Sequence, residues 1–391
     1  RQCRVPGPGY RLVAVSSDWE LNLDKEQFLA QHWQKAPLLI RGAIKNFKPP
    51  ISSDELAGLA YEEEVEARIV EHQEDNWQLF HGPFSATDYQ RKHPWTLLVQ
   101  AVDQYIPEVA QLRKLVDFIP QWRVDDVMAS YASDGGSVGP HFDNYDVFLL
   151  QGEGHRLWKT GQFCDSSSPL VDHDSLRLLS QFNTEAEYLL EPGDILYVPP
   201  GIAHWGTAQG ECTTFSIGFR APRITEMVSR FTDALIEQLD PDLFYSDARI
   251  EVATRPGEIR PRDLDRVSAQ IQAALDQSEG NHWFGELATE PRYEQFPDEG
   301  ELSEARSQLS DGANGIELNS AAKLAWQHEA GRVVVFANGD SRSFSESIMP
   351  LQIALSDAWK LDKAELAAAS ADPESSGWLD YLLESGCVFI L

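Results

Sequence analysis

His141, Asp143 and His204 are the residues of this 391-residue chain whose types and spacing could do chemistry together. The first two lie in V-G-P-H-F-D-N-Y-D (138–146), and the third closes E-P-G-D-I-L-Y-V-P-P-G-I-A-H (191–204). Two imidazoles and one carboxylate can bind one face of Fe(II), leaving the other face open for a cosubstrate and dioxygen. On an extended strand, residues i and i+2 point to the same side, so His141 and Asp143 can aim at one ion. Taken alone, H-x-D also suits ordinary loop hydrogen bonds. His204 shifts the balance, because a turn, an apolar strand and a proline-rigid loop lead directly into it. The separation of Asp143 and His204 in sequence is no obstacle, since a jelly roll sets distant strands side by side.

An Fe(II) site of this kind needs two further electrons, which 2-oxoglutarate can supply by oxidative decarboxylation. Its keto-acid end chelates the metal, so its far carboxylate needs a buried cation. The segment H-R-L-W-K-T (155–160) offers Arg156 and, with opposite strand parity, Lys159. A guanidinium grips a carboxylate through two charge-assisted hydrogen bonds, which favours Arg156.

The elements that must position these residues are short strands. Candidates are 126–132, 145–151, 154–160, 187–190, 194–198 and 212–219, broken by Asp134-Gly135-Gly136, Gly152-Glu153-Gly154, Pro192-Gly193-Asp194 and Pro199-Pro200-Gly201. Close turn signals between short strands argue for a sandwich or a jelly-roll barrel. Before them, 24–35 and 52–60 read as helices around a strand at 38–40. After Arg220, Ile224, Met227, Val228, Phe231, Leu235 and Leu239 form one helical stripe, and Leu264, Val267, Ile271 and Leu275 a second. Such stripes must be buried, either on the barrel or against a second copy of the chain. Residues 291–391 suit a small α+β domain, with a strand at 333–336, a turn at 338–340 and helices near 350–368 and 377–385.

Net charge is −30 with a pI near 4.6, a surface that repels nucleic-acid phosphate and anionic membrane and attracts basic partners. Residues 291–391 carry 7 basic against 17 acidic side chains, the wrong sign for DNA binding. Cys3, Cys164, Cys212 and Cys387 show no C-x-x-C spacing and no disulfide framework, which fits a reducing cytoplasm. Arg1 to Trp19 lacks the apolar run of a signal peptide.

At H-x-D, the basic residue and the distal His, the chain resembles the JmjC-domain oxygenases that use Fe(II) and 2-oxoglutarate. In the protein-hydroxylase branch the basic residue stands fifteen positions after the first His, a spacing that Arg156 meets and Lys159 does not. Arg replaces the Lys commoner across the wider family. F-L-A-Q-H-W-Q-K-A-P (28–37), I-S-S-D-E-L-A-G-L-A (51–60), G-P-H-F-D-N-Y-D-V-F (139–148), E-P-G-D-I-L-Y-V-P-P-G (191–201) and S-I-G-F-R-A-P (216–222) look like the bacterial ribosomal oxygenases within that family. F-Y-S-D (244–247) and W-F-G-E (283–286) extend the likeness, which weakens over the last hundred residues.

The resemblance implies an α+β protein in three parts: a double-stranded β-helix oxygenase domain over 1–220, a helical dimerisation region over 221–290, and a C-terminal winged-helix-like domain over 291–391. It implies Fe(II) on His141, Asp143 and His204, with 2-oxoglutarate and dioxygen as cosubstrates. It implies hydroxylation of an arginine β-carbon in a basic large-subunit ribosomal protein, number sixteen, with Asp126, Tyr145 and Ser216 around the target. A cytoplasmic homodimer that touches neither membrane nor nucleic acid is expected. The residues leave open a histidine hydroxylase or lysine demethylase on the same barrel, a zinc cupin isomerase, and a non-catalytic binding module.

Overall fold

Strands such as V-F-L-L-Q (147–151) have no polar face, so each must be covered on both sides. The computed structural model, which describes residues 19–74, 76–277, 280, 282–293 and 296–391, shows how this is done. The first part of the chain runs α1 (Lys25–Gln31), β1 (Leu38–Ile40), α2 (Ser53–Leu59), β2 (Ala67–Gln73), β3 (Asn76–His81), β4 (Trp95–Val99), α3 (Val102–Tyr105) and α4 (Pro107–Ala110). The strands β5 (Val124–Ala132), β6 (Val147–Gln151), β7 (His155–Phe163), β8 (Thr184–Leu190), β9 (Ile195–Val198), β10 (Ile202–Gln209) and β11 (Cys212–Phe219) follow. Next come helices α5 (Ile224–Gln238), α6 (Pro261–Leu275) and α7 (His282–Thr289). The last part is α8 (Glu299–Ser310), β12 (Gly315–Leu318), β13 (Leu324–Glu329), β14 (Arg332–Ala337), β15 (Asp340–Ser345), α9 (Met349–Ala358), β16 (Lys360–Asp362), α10 (Lys363–Ala371), α11 (Pro373–Glu384) and β17 (Val388–Ile390).

An eight-stranded sheet, in the order β1-β9-β6-β11-β5-β4-β2-β3, faces a three-stranded sheet, β10-β7-β8. Together they form the double-stranded β-helix. Strand parity divides every central strand between two layers. Phe148 and Leu150 of β6, Phe215, Ile217 and Phe219 of β11, and Val127 and Ala129 of β5 pack outward with Phe28 of α1 and Leu56 and Leu59 of α2. Val147 and Leu149 turn inward and meet Trp158 of β7 and Leu196 and Val198 of β9. The outer helices are fixed by caps. Asp24 accepts from the Gln27 amide at 2.9 Å, and Ser52 and Glu55 form a reciprocal capping box. Each fully buried Phe or Leu here contributes about 1.5–3 kcal/mol.

Some elements differ from the sequence reading. Strands β2, β3 and β4 extend the large sheet in a region without clear alternation, and β10 begins directly after the proline-glycine loop. The helical stretch near 350–368 is two helices. Trp359 adopts a left-handed φ of 63° and ends α9, and Leu361 of β16 then pairs with Ile316 of β12. Asp362 caps α10 by accepting from Ala364 and Glu365.

The C-terminal part has its own core around Trp378, Tyr381, Leu382, Ile316 and Val335, and Ala110 of α4 joins that core. Lys323 reaches from it beneath β5 and donates to the carbonyls of Val124 and Asp125. Of the cysteines, Cys164, Cys212 and Cys387 are buried and free, and Cys3 lies outside the described residues.

Candidate active site

The three ligand candidates meet through backbone pairing. His141 and His204 form an isolated antiparallel bridge, with N–H···O distances of 3.1 and 2.8 Å in the two directions, and their rings stand 4.2 Å apart. Asp143 is not on a strand, so the expected i, i+2 alternation is not what aligns it. Its carbonyl instead accepts from the Gly201 amide at 2.8 Å, tying the H-F-D loop to the proline-glycine turn. Two glycines make this possible. Gly201 has φ +77°, and Gly139 has φ +83° with a Cβ position only 2.6 Å from the Leu178 side chain.

The ligand atoms of His141, Asp143 and His204 lie within 4.8 Å of one another, and among the described residues no other such group of His, Cys, Asp or Glu converges this way. His141 Nδ1 donates to the Gly139 carbonyl at 2.9 Å and His204 Nδ1 to the Ile202 carbonyl at 3.0 Å. Those bonds fix the tautomer and leave each Nε2 lone pair for a metal. His204 Nε2 stands 3.6 Å from Asp143 Oδ2. Burial, reinforced by His141, holds the His204 imidazole down to about 4, so it is neutral at pH 7 and ready to ligate.

Arg156 points inward from β7, its guanidinium 5.6 Å from the Trp158 ring. The side chain is buried, and its Nε and Nη2 have no hydrogen-bond partner. A buried cation left so is costly, and a bidentate carboxylate is the ligand that satisfies both groups. Lys159 has the opposite parity and pairs on the outer face with Glu187 at 3.0 Å. Arg156 and the three ligand candidates line one cavity of about 530 Å³. This donor set fits a divalent ion and a dicarboxylate side by side.

A JmjC domain matches residues 111–227 and a ROXA-like winged helix matches 273–389. An AraC-like ligand binding domain also matches, over 180–296. The chain is 39% identical over 278 residues to the ribosomal protein uL16 3-hydroxylase of Escherichia coli (strain K12), covering 71% of this chain and 74% of that one. It is 34% identical to a probable ribosomal oxygenase of Haemophilus influenzae, over 94% of this chain and 95% of the relative. The structure of YcfD, a ribosomal oxygenase from Escherichia coli in complex with cobalt and 2-oxoglutarate, superposes with a TM-score of 0.81 at 34% identity, over 95% and 99% of the two chains. The chain belongs to the JmjC ribosomal oxygenases.

This ribosomal oxygenase is a 2-oxoglutarate-dependent dioxygenase that uses Fe(II), 2-oxoglutarate and dioxygen. The family settles the zinc isomerase and non-catalytic readings against them. Asp126, Tyr145 and Ser216, the residues expected from the family resemblance around the target, line the same cavity of the ribosomal oxygenase. Asp126 and Ser216 are buried on β5 and β11, on the inward parity of Met128 and Gly218, while Tyr145 lies half-exposed at the mouth. Burial of its phenol end and the negative charges of Asp143 and Asp126 raise the Tyr145 phenol. Asp126 Oδ2 accepts from Gln100 Nε2 at 2.7 Å and from the Ala101 amide at 3.1 Å. Burial first, and then the charge of Asp103, push Asp126 up to about 6, with Arg292 opposing.

Arg68, Gln100 and Arg292 also line this cavity of the ribosomal oxygenase and were not legible in the sequence. Arg292 reaches Asp125 at 2.7 Å across more than 160 residues. No local pattern announces such a contact.

Proposed function

We propose that this oxygenase hydroxylates the β-carbon, C3, of an arginine in ribosomal protein uL16. The observation that carries the reading is the buried Asp126 carboxylate, which lines the same cavity as the His141, Asp143 and His204 cluster. A guanidinium paired with Asp126 would be held by its far end, leaving its aliphatic stem to run toward the metal. The name of the Escherichia coli relative supports uL16 as the substrate. The net charge of −30 suits a strongly basic ribosomal protein.

In this reading His141, Asp143 and His204 hold Fe(II), Arg156 anchors the far carboxylate of 2-oxoglutarate, and Asp126, Tyr145 and Ser216 receive the arginine. When bound, Fe(II) with 2-oxoglutarate and dioxygen supplies the oxidising power and yields succinate and carbon dioxide. The chain supplies placement. Val147, Leu149 and Trp158 wall the cavity with apolar surface that keeps water from the reacting carbon. Tyr145 at the mouth can pack its ring on the arginine stem or face.

The molecule is divided as oxygenase domain (1–220), helical dimerisation region (221–290) and C-terminal domain (291–391). Homodimerisation is supported by apolar side chains that α5 and α6 leave uncovered. Phe231 and Leu235 pack inward, the former against Trp283 of α7, but Ile224, Val228 and Ile236 of α5 and Leu264, Val267 and Ile271 of α6 are exposed. A patch of that kind marks an interface. The expected compartment is the cytoplasm, and no described helix is long and apolar enough to cross a membrane.

The test is a set of uL16 variants in which each arginine in turn becomes lysine. Oxygen incorporation should vanish for one variant and persist for the others. Persistence in every variant would overturn the arginine assignment.

A further inference from the structure

The segment after α7 is strapped to the mouth of the barrel. The Arg220 guanidinium, just past β11, donates to the carbonyls of Leu287 (3.3 Å), Ala288 (3.0 Å) and Glu290, and its Nε lies 3.4 Å from Asp125 Oδ1. Beyond that clasp, Arg292 Nη2 donates to Asp125 Oδ2 at 2.7 Å and stands 3.5 Å from Asp126 Oδ2. Arg292 Nη1 is 4.0 Å from Glu66 Oε2, and the Tyr293 hydroxyl donates to that oxygen at 3.0 Å. A side chain from outside the barrel thus sits on the carboxylate that the substrate guanidinium would need.

Two roles are conceivable for such an arginine, competitor or support, and the atoms decide between them. Arg292, Gln100 and Ala101 all approach the same oxygen, Oδ2. The other oxygen, Oδ1, lies toward Gly218, where a built Cβ would meet nothing nearer than Oδ1 itself at 3.6 Å. Gly218 has no side chain and lines the cavity, so the space before Oδ1 is open. We propose that Arg292 is a positioning residue for substrate specificity, which holds Asp126 as an anion with Oδ1 presented to the incoming guanidinium. This rests on the reading of Asp126 as the arginine-binding carboxylate.

The charges around Asp126 explain why support is needed. Asp125 flanks it on β5, and buried Asp103 of α3 faces it, itself 3.4 Å from Arg113 of the turn after α4. Arg68 of β2 contributes a further cation to the cavity wall, and the Tyr145 phenol a group neutral at pH 7. Two carboxylates and burial oppose ionisation, and among the described residues Arg292 is the cation within 4 Å of Asp126. Without it, Asp126 would take up a proton at higher pH and lose its charge-assisted grip. The contact also gives the segment after α7 a direct hold on the specificity pocket.

The experiment is steady-state hydroxylation of recombinant uL16 by the full-length enzyme loaded with Fe(II) and 2-oxoglutarate, from pH 5.5 to 8.5, for wild type, Arg292→Gln, Arg292→Lys and Asp126→Asn. KM of the wild type should rise as pH falls toward about 6. Arg292→Gln should raise KM roughly three- to thirtyfold at pH 7 with little change in kcat, and should move the onset of the KM rise to higher pH. Arg292→Lys should restore part of both effects. An Arg292→Gln profile that overlies the wild type, or a KM below it, overturns the proposal, the second outcome pointing to competition. Unchanged KM in Asp126→Asn would instead overturn the assignment of Asp126 on which it rests.

Discussion

Replacing Arg156 by methionine should make the resting protein more stable and its grip on 2-oxoglutarate far weaker. Arg156 is buried, and two of its three nitrogens lack a partner. Substituting a buried charge by an apolar side chain of similar length is often stabilising, by about 1–4 kcal/mol. In a domain of this size that is a rise of roughly 2–10 °C in Tm. The ligand's far carboxylate would then be buried opposite a thioether. Breaking a buried pair by removing one partner costs about 3–5 kcal/mol, equivalent to roughly a 10²- to 10⁴-fold loss of affinity. Thermal unfolding over a series of 2-oxoglutarate concentrations, with Mn(II) replacing Fe(II) to prevent turnover, reads both effects at once. A ligand at a hundred times its Kd stabilises by about 2.7 kcal/mol, so the wild-type shift should disappear in the variant over the same range. Arg156→Lys keeps the charge without the planar fork and should fall between them. A variant of lower Tm that still shifts with 2-oxoglutarate as the wild type does would refute the reasoning and make Arg156 a packing residue.

Tyr145→Phe removes a hydroxyl close enough to the Asp143 carboxylate to feel its charge, so metal affinity measured by competition with a chelator should fall, by up to roughly tenfold, as for other groups beside a ligand. Lys323 is buried, and burial followed by the charges of Arg220 and Arg113 pushes it down to about 8. Its folded value lies below the ordinary 10.5, so the unfolded chain binds more protons between the two. Stability should therefore rise from about pH 8 to about 10.5, by up to about 3 kcal/mol, a rise that Lys323→Met should lack in parallel urea titrations. Val228→Asp combined with Ile236→Asp puts charge into the exposed face of α5 and should convert a dimer to a monomer in sedimentation. A monomeric wild type would contradict the dimer.

The site was legible where chemistry writes itself into short motifs. H-F-D, the proline-glycine turn before His204 and the parity of Arg156 against Lys159 all sit within segments of a few residues. The fold followed from the same turns, because each Gly or Pro breaker separates two strands. What the sequence hid has physical causes. Asp143 is aligned by a backbone bond to Gly201, a pairing set by tertiary structure and not by strand alternation. Trp359 ends α9 in a left-handed conformation that tertiary packing imposes on an unlikely residue type. Arg292 and Lys323 reach β5 from distant segments, and contacts of that range leave no local trace.

The central claim is tested most directly by incubating the protein with Fe(II), 2-oxoglutarate and recombinant uL16 and mapping added oxygen by fragment mass spectrometry. A single oxygen on the β-carbon of one arginine, absent when 2-oxoglutarate is withheld, is the predicted result. No incorporation, or an oxygen on a residue other than arginine, would contradict it.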